Sequence, residues 1–321
     1  SWAAAGDRNG KAISIFQGIK EYLDDSNIMF AQGCDIESND YSGFDKAVNM
    51  AKKADKIIMV LGEDYNMSGE AASRTNIKLP GIQTQLIKTI RDELPNKPII
   101  LVLMNGRPLD LSIEDSLADA ILEVWYPGTS GGLGVADILF GKYNPSAKLP
   151  ITFPRNLGQV PIYYNQKNTG RPISKENPTE DYKSNYIDSP NTPLYPFGHG
   201  LSYTTFKYSE IKLSNDKVKE SEILKASSTI TNTGDFDGHE IVQLYIRDKV
   251  GSITRPVKEL KGFKKIFLKK GESKTVVFEI SPEDLKFYNN GKLILESGEF
   301  EIAISPSSDF EFNKLFKLIL N

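Results

Sequence analysis

Cysteine is nearly missing from this chain of 321 residues: Cys34 stands alone, so no intrachain disulfide can form. A lone thiol fits a reducing compartment and equally fits many bacterial exported proteins. Free cysteine is most often a small packed side chain. Histidine is almost as scarce. His199 and His239 are far apart, with no Cys or acid cluster at ligand spacing, so no metal site is expected. No stretch approaches the ~20 apolar residues that a membrane span requires. Basic blocks are absent too; the formal net charge is −3, and a nucleic-acid partner has no electrostatic support. Residues 1–7 (SWAAAGD) lack the basic start and apolar run of a secretion signal, and the chain opens as if it continued something longer. There is no internal repeat and no low-complexity tract.

What is present is ordinary globular material, 39% hydrophobic and 25% charged. The length suits two domains rather than one. Over residues 1–155, short apolar runs alternate with helical patterns. Residues 27–32 (NIMFAQ), 56–62 (KIIMVLG), 97–104 (KPIILVLM) and 119–125 (DAILEVW) read as strands. Residues 41–54, 81–94 and 132–140 read as helices, the second with Ile82, Leu86, Ile90 and Leu94 on one face. Unbroken apolar runs are the mark of parallel strands buried on both faces. Their alternation with helices predicts a layered α/β sandwich with a mainly parallel sheet. In such sheets functional groups gather on loops after the carboxyl ends of the strands.

Residues 156–200 are rich in Pro, Asn, Tyr and Lys and read as a long surface connection, a type of segment that is often functional. From 201 onward apolar and polar residues alternate in short runs, as in residues 299–305 (EFEIAIS), with Gly turns between them. That pattern predicts an all-β sandwich of immunoglobulin or fibronectin III shape. The expected domains are therefore 1–200, the α/β part with its connection, and 201–321, the β-sandwich.

One segment is too particular for a generic loop: residues 60–74 (VLGEDYNMSGEAASR), followed by residues 79–81 (LPG). It resembles the acid/base loop of glycoside hydrolase family 3 β-glucosidases. Further matches follow in order: residues 102–108 (VLMNGRP), 125–128 (WYPG), 136–141 (ADILFG), 148–154 (KLPITFP), 196–203 (PFGHGLSY), 242–245 (VQLY) and 260–263 (LKGF). The resemblance covers nearly the whole chain. It implies the C-terminal portion of such an enzyme, an α/β sandwich and a fibronectin type III-like domain that follow an N-terminal barrel. The family's nucleophile is an aspartate on that barrel; no matching segment exists here, and no residue is assigned to the role.

The resemblance also implies the chemistry. A retaining glycosidase uses two carboxyl groups, one attacking the anomeric carbon and one acting as acid and then base. Glu70 matches the glutamate of the Ser-Gly-Glu motif and is the expected acid/base. Glu63 and Asp64 are rivals, better read as a cap or an ion pair. Ser68 could meet the sugar or shape the loop. Arg74 could orient Glu70, bind a hydroxyl, or form a purely structural pair. Tyr65 and Trp2 could stack on sugar faces or belong to the core or an interface. The expected substrate is a terminal β-D-glucoside or oligosaccharide, no cofactor is needed, and the barrel, on the same or a separate chain, is the expected partner. A homodimer is left open. The setting is periplasmic or extracellular, with the cytoplasm as the alternative.

Two competing readings stay open. Residues 128–132 (GTSGG) fit the Gly-x-Ser-x-Gly elbow, which with His199 would make Ser130 a nucleophile. Alternatively, the chain is a carbohydrate-binding or scaffold module without catalysis, since a sandwich fold alone does not establish function.

Overall fold

The computed structural model describes residues 10–173 and 181–320. The chain divides into two compact units. One takes in the chain up to Tyr143 together with Phe153–Val160, the other Asn144–Thr152 and the chain from Pro161 onward.

The first unit runs α1 (Ile15–Lys20), α2 (Phe44–Lys53), β1 (Ile57–Gly62), α3 (Gln83–Glu93), β2 (Ile99–Met104), α4 (Ser112–Leu117), β3 (Ala120–Glu123) and α5 (Gly131–Leu139). Its three strands pair in parallel in the order β1-β2-β3. Their alternate residues face opposite layers. Ile58, Val102, Met104 and Leu122 pack with Ile15, Ile19 and Val135 of helices α1 and α5. Leu61, Leu101 and Leu103 are also buried, on the face toward α3, which touches β1 as well as α2 and α4. Local chemistry supports these choices. Ser14 caps α1 reciprocally with Gln17: Gln17 N donates to Ser14 Oγ at 3.1 Å and Ser14 N to Gln17 Oε1 at 2.8 Å. Helix α3 turns Leu86, Ile87 and Ile90 inward, the spacing of an amphipathic helix.

Residues 27–32 depart from expectation. They join no sheet; a 3-10 turn at Asp25–Asn27 takes in their first residue and the rest is irregular. Ile28 packs onto the α1/α5 cluster, whereas Met29 is 45% and Phe30 60% exposed. Three apolar residues that face different ways give no strand partner anything to bury against.

The second unit is a sandwich of antiparallel sheets. Its strands are β4 (Phe206–Tyr208), β5 (Lys212–Leu213), β6 (Lys217–Lys219), β7 (Leu224–Asn232), β8 (Gly238–Asp248), β9 (Glu259–Leu268), β10 (Ser273–Ile280), β11 (Phe287–Asn289), β12 (Lys292–Ile294), β13 (Gly298–Ser305) and β14 (Lys314–Ile319). One sheet is ordered β10-β7-β4 with β5 added on β7. The other is ordered β6-β14-β13-β8-β9, with β6 joining β14 in parallel. Between them lies a core that includes Ile230, Val242, Leu244, Ile302 and Leu318.

The expected boundary near residue 200 differs from this division because two irregular stretches are bonded into the sandwich. Leu149 N donates to His199 O at 2.7 Å and Gly198 N to Leu149 O at 2.8 Å. Lys148 pairs with the buried Glu240 at 3.3 Å. Tyr164 stacks on Phe197 at 4.3 Å and meets the fully buried Tyr245 edge-on. The described parts of the connection form no α-helix or regular strand; a 3-10 turn at Leu157–Gln159 is their helical piece.

Strand β2 is enclosed on both faces, so a cavity there cannot be filled by solvent-side relaxation. Leu101→Ala should cost about 2–5 kcal/mol. Both tryptophans precede residue 144, so their fluorescence in a urea titration reads the first unit. An unchanged midpoint would contradict the enclosed placement of β2.

Candidate active site

The carboxyl ends of β1, β2 and β3 bring together the residues that the sequence marks. Immediately after β1 comes Glu63, whose side chain is 0% exposed. Its carboxylate meets Arg74 Nη1 at 2.7 Å and Arg107 Nε at 3.0 Å, and it accepts from Gly106 N at 3.2 Å. The two guanidinium groups are themselves only 18% and 17% exposed. A carboxylate this buried persists only when paired and hydrogen-bonded, and here two cations and a backbone amide supply that.

The cluster grips the following loop. Arg107 Nη2 donates to Met67 O, Arg74 Nη2 to Lys78 O at 3.1 Å, and Ser68 Oγ to Gly106 O at 3.2 Å. Tyr126, beyond β3, donates its hydroxyl to Asp64 O at 3.0 Å. Asp64 caps the 3-10 turn Tyr65–Met67 by accepting from Asn66 N at 2.9 Å. Gly106 leaves the space for this crossing: a Cβ on it would lie 2.2 Å from Ser68 Oγ.

Glu70 stands at the tip of a tight turn. A β-bridge joins Gly69 to Ala72, and Ala72 N donates to Gly69 O at 3.2 Å. Ala71 takes φ +56° and Gly69 φ +138°. A non-glycine residue in the left-handed region costs on the order of 1 kcal/mol, so the turn is imposed by its clamped ends. The Glu70 side chain is exposed, and no hydrogen bond or ion pair among the described residues holds its carboxylate.

The expected residues therefore sort differently from one another. Arg74 is turned onto Glu63 rather than Glu70. Ser68 ties the loop to Gly106. Glu63 is a buried ion-pair centre rather than a surface one, and Asp64 is a cap. Tyr65 is 56% exposed beside the Glu70 turn in sequence. Trp2 lies outside the described residues. Ser130 begins α5 with φ −99°, without the strain of a nucleophile elbow, and both histidines belong to the other compact unit. Among the described residues no group of three or more His, Cys, Asp or Glu could hold a metal ion, and no helix is long and apolar enough to cross a membrane.

Sequence reasoning missed Glu123. It ends β3 on the buried side, and its Oε1 accepts from Trp125 N at 2.8 Å. Trp125 has φ +50°. Burial first, and then the nearby charge of Glu63, push the Glu123 carboxyl up to about 8, against the opposing hydrogen bonds of Trp125 N and Asn105. The available signal was alternation: in a strand, an acid two residues after Ile121 shares its face.

This chain thus holds a parallel α/β unit, with an exposed carboxylate beyond its strand ends, and a separate antiparallel β-sandwich unit. The chain matches the Glycosyl hydrolase family 3 C-terminal domain over residues 2–203 and the Fibronectin type III-like domain over residues 240–308. It belongs to glycosyl hydrolase family 3. It is 46% identical to a periplasmic β-glucosidase of Salmonella typhimurium, covering 96% of this chain and 43% of that protein. It is 40% identical to a β-xylosidase of Formosa agariphila, covering 92% and 40%. The crystal structure of a β-glucosidase from Listeria innocua in complex with isofagomine superposes with a TM-score of 0.90 at 36% identity, covering 97% of this chain and 42% of that one. The chain thus spans about two fifths of the length of these relatives.

Removing Glu63 strands two buried guanidinium groups. Glu63→Ala should destabilise the first unit by about 3–5 kcal/mol, read by tryptophan fluorescence in urea. Glu63→Gln, which keeps the shape without the charge, should fall between. Stability unchanged in both would contradict the clamp.

Proposed function

We propose that this chain supplies the general acid/base, Glu70, to a retaining β-glucosidase whose nucleophile lies on a barrel domain outside these residues. The observation that carries the reading is an exposed carboxyl, without a partner among the described residues, at the tip of a tight turn whose root is clamped by buried ion pairs. A side chain that is fixed at its base and free at its end is suited to meet a substrate. The loop also leaves the carboxyl end of a parallel strand, the position favoured for function in such sheets.

In this mechanism Glu70 gives its proton to the glycosidic oxygen as the bond to the anomeric carbon breaks. The barrel aspartate takes the sugar as a covalent ester. Glu70, now ionised, then removes a proton from water as that water opens the ester. The two carboxyl groups need a separation of about 5–5.5 Å for retention. A proton donor of this kind contributes roughly 10²–10⁴-fold to rate. Relatives named for glucosides and for xylosides support a terminal β-linked glucose or xylose as the sugar, with glucose favoured by the higher identity. The same relative supports a periplasmic setting.

The chain alone should leave an aryl β-glucoside intact, because one carboxyl of the pair is missing. Supplied with its barrel domain it should turn the substrate over, and Glu70→Gln should remove most of that turnover. Turnover by the isolated chain would contradict the missing nucleophile. Turnover indifferent to Glu70→Gln would remove Glu70 from its role. Sugar binding with no turnover in any arrangement would favour a carbohydrate-binding module.

A further inference from the structure

The open side of the β-sandwich carries a cleft. Strands β9 and β10 are edges of opposite sheets, and the turn between them is closed by Lys269 N donating to Glu272 Oε2 at 2.8 Å. The cleft has a volume of about 400 Å³ and is lined by Lys264, Lys265 and Ile266 of β9 and by Lys274 and residues 275–277 of β10. Along the chain these lysines are scattered among apolar residues and form no basic block; the two edges gather them. Side chains alternate between the faces of a strand. Lys264 therefore shares a face with the buried Ile266 and Leu268, and Lys274 with the buried Val276 and Phe278. Both point toward the gap between the sheets. Lys264 Nζ donates to Val277 O at 2.6 Å; a carbonyl takes one of its three donors and does not cancel its charge. No Asp or Glu lines the cleft. Glu279 of β10 is taken by Lys225 at 3.0 Å, and no acid among the described residues pairs with Lys264, Lys265 or Lys274.

A cleft lined by one sign of charge concentrates counter-ions, and here the sign calls for an anion. The unpaired N–H groups of two strand edges add donors that suit a carboxylate. The outer face of β9 narrows the choice. Phe263 and Phe267 flank Lys265 on that face and are 66% and 45% exposed, with His239 against Phe267 at 5.0 Å. Exposed apolar surface of this kind marks binding, and an aromatic ring offers a flat apolar surface to the apolar side of a sugar. We propose that the cleft and the adjoining face of β9 bind an acidic oligosaccharide, its carboxylates meeting Lys264, Lys265 and Lys274 and a sugar ring lying on Phe263 or Phe267. The choice of a sugar over another anion rests on the proposed glycosidase function; the anion site does not. An inward-pointing lysine also blunts a sheet edge against further pairing. That role needs no ligand, so a titration separates the two.

The test is a titration of the whole chain with trigalacturonate, followed by backbone amide shifts in nitrogen–proton correlation spectra. Cellotriose and sulfate, at equal ionic strength, are the controls. Trigalacturonate should shift the amides of residues 264–266 and 274–277 saturably, and the two controls should leave them in place. Lys264→Gln combined with Lys274→Gln should weaken binding about tenfold, because each exposed charge pair contributes a few-fold, and added salt should weaken it further. Both lysines are exposed, so the double variant should keep the wild-type thermal midpoint. The wild-type titration needs no variant to fold. If trigalacturonate gives no saturable shift at these amides, the proposal is overturned and the lysines only guard the edges. An equal response to sulfate would mean an adventitious ion only and would overturn it too. An equal response to cellotriose would remove the carboxylates from the account. A single-stranded oligonucleotide that binds tighter than trigalacturonate would replace the sugar with a nucleic acid and overturn the assignment. None of these readouts uses turnover, so a failure here is told apart from a failure of Glu70.

Discussion

One buried carboxylate, Glu63, organises the end of the α/β unit. It is shared by two guanidinium groups from different loops and by the Gly106 amide. Its value lies less in net stability than in geometry, because desolvating such charges offsets much of their attraction. Arg107 carries that geometry to Met67, and Arg74 carries it to Lys78. The loop holding Glu70 is thus gripped before and after the turn. Without the grip, the left-handed Ala71 would have every reason to relax.

The division of labour among the acids follows from their surroundings. Glu63 is paired with two guanidinium groups, Asp64 caps a 3-10 turn, burial raises the Glu123 carboxyl, and the exposed Glu70 carboxylate has no partner among the described residues. The same residue type thus serves as clamp and as exposed acid within one short stretch of structure. Exposure separates Glu70 from the others, and the proposed role falls to it for that reason.

Much of the fold was legible in the sequence. Residues 99–104 are an unbroken apolar run because both of their faces are covered; residues 57–62, on the edge strand, read alike although Val60 is exposed, and the alternation in residues 299–305 marks a strand with one covered face. Residues 27–32 misled because a short apolar run looks the same whether its side chains share a layer or splay apart. The site was half legible. Glu70 and the loop around it stood out through a resemblance. The partners of Glu63 did not, because Arg107 lies 44 residues away and its pairing exists only once β1 and β2 are adjacent. Glu123 was hidden for a related reason: its burial comes from the sheet register and not from its neighbours in the chain.

The most direct test is the dependence of rate on leaving-group acidity in the barrel-containing enzyme, comparing wild type with Glu70→Gln across a series of aryl β-glucosides. If Glu70 donates the proton, the variant should lose most rate on poor leaving groups, about 10²–10⁴-fold, and little on the most acidic phenols, so the plot steepens. A uniform loss across the series, or none, would show that the proton comes from another group and would contradict the account.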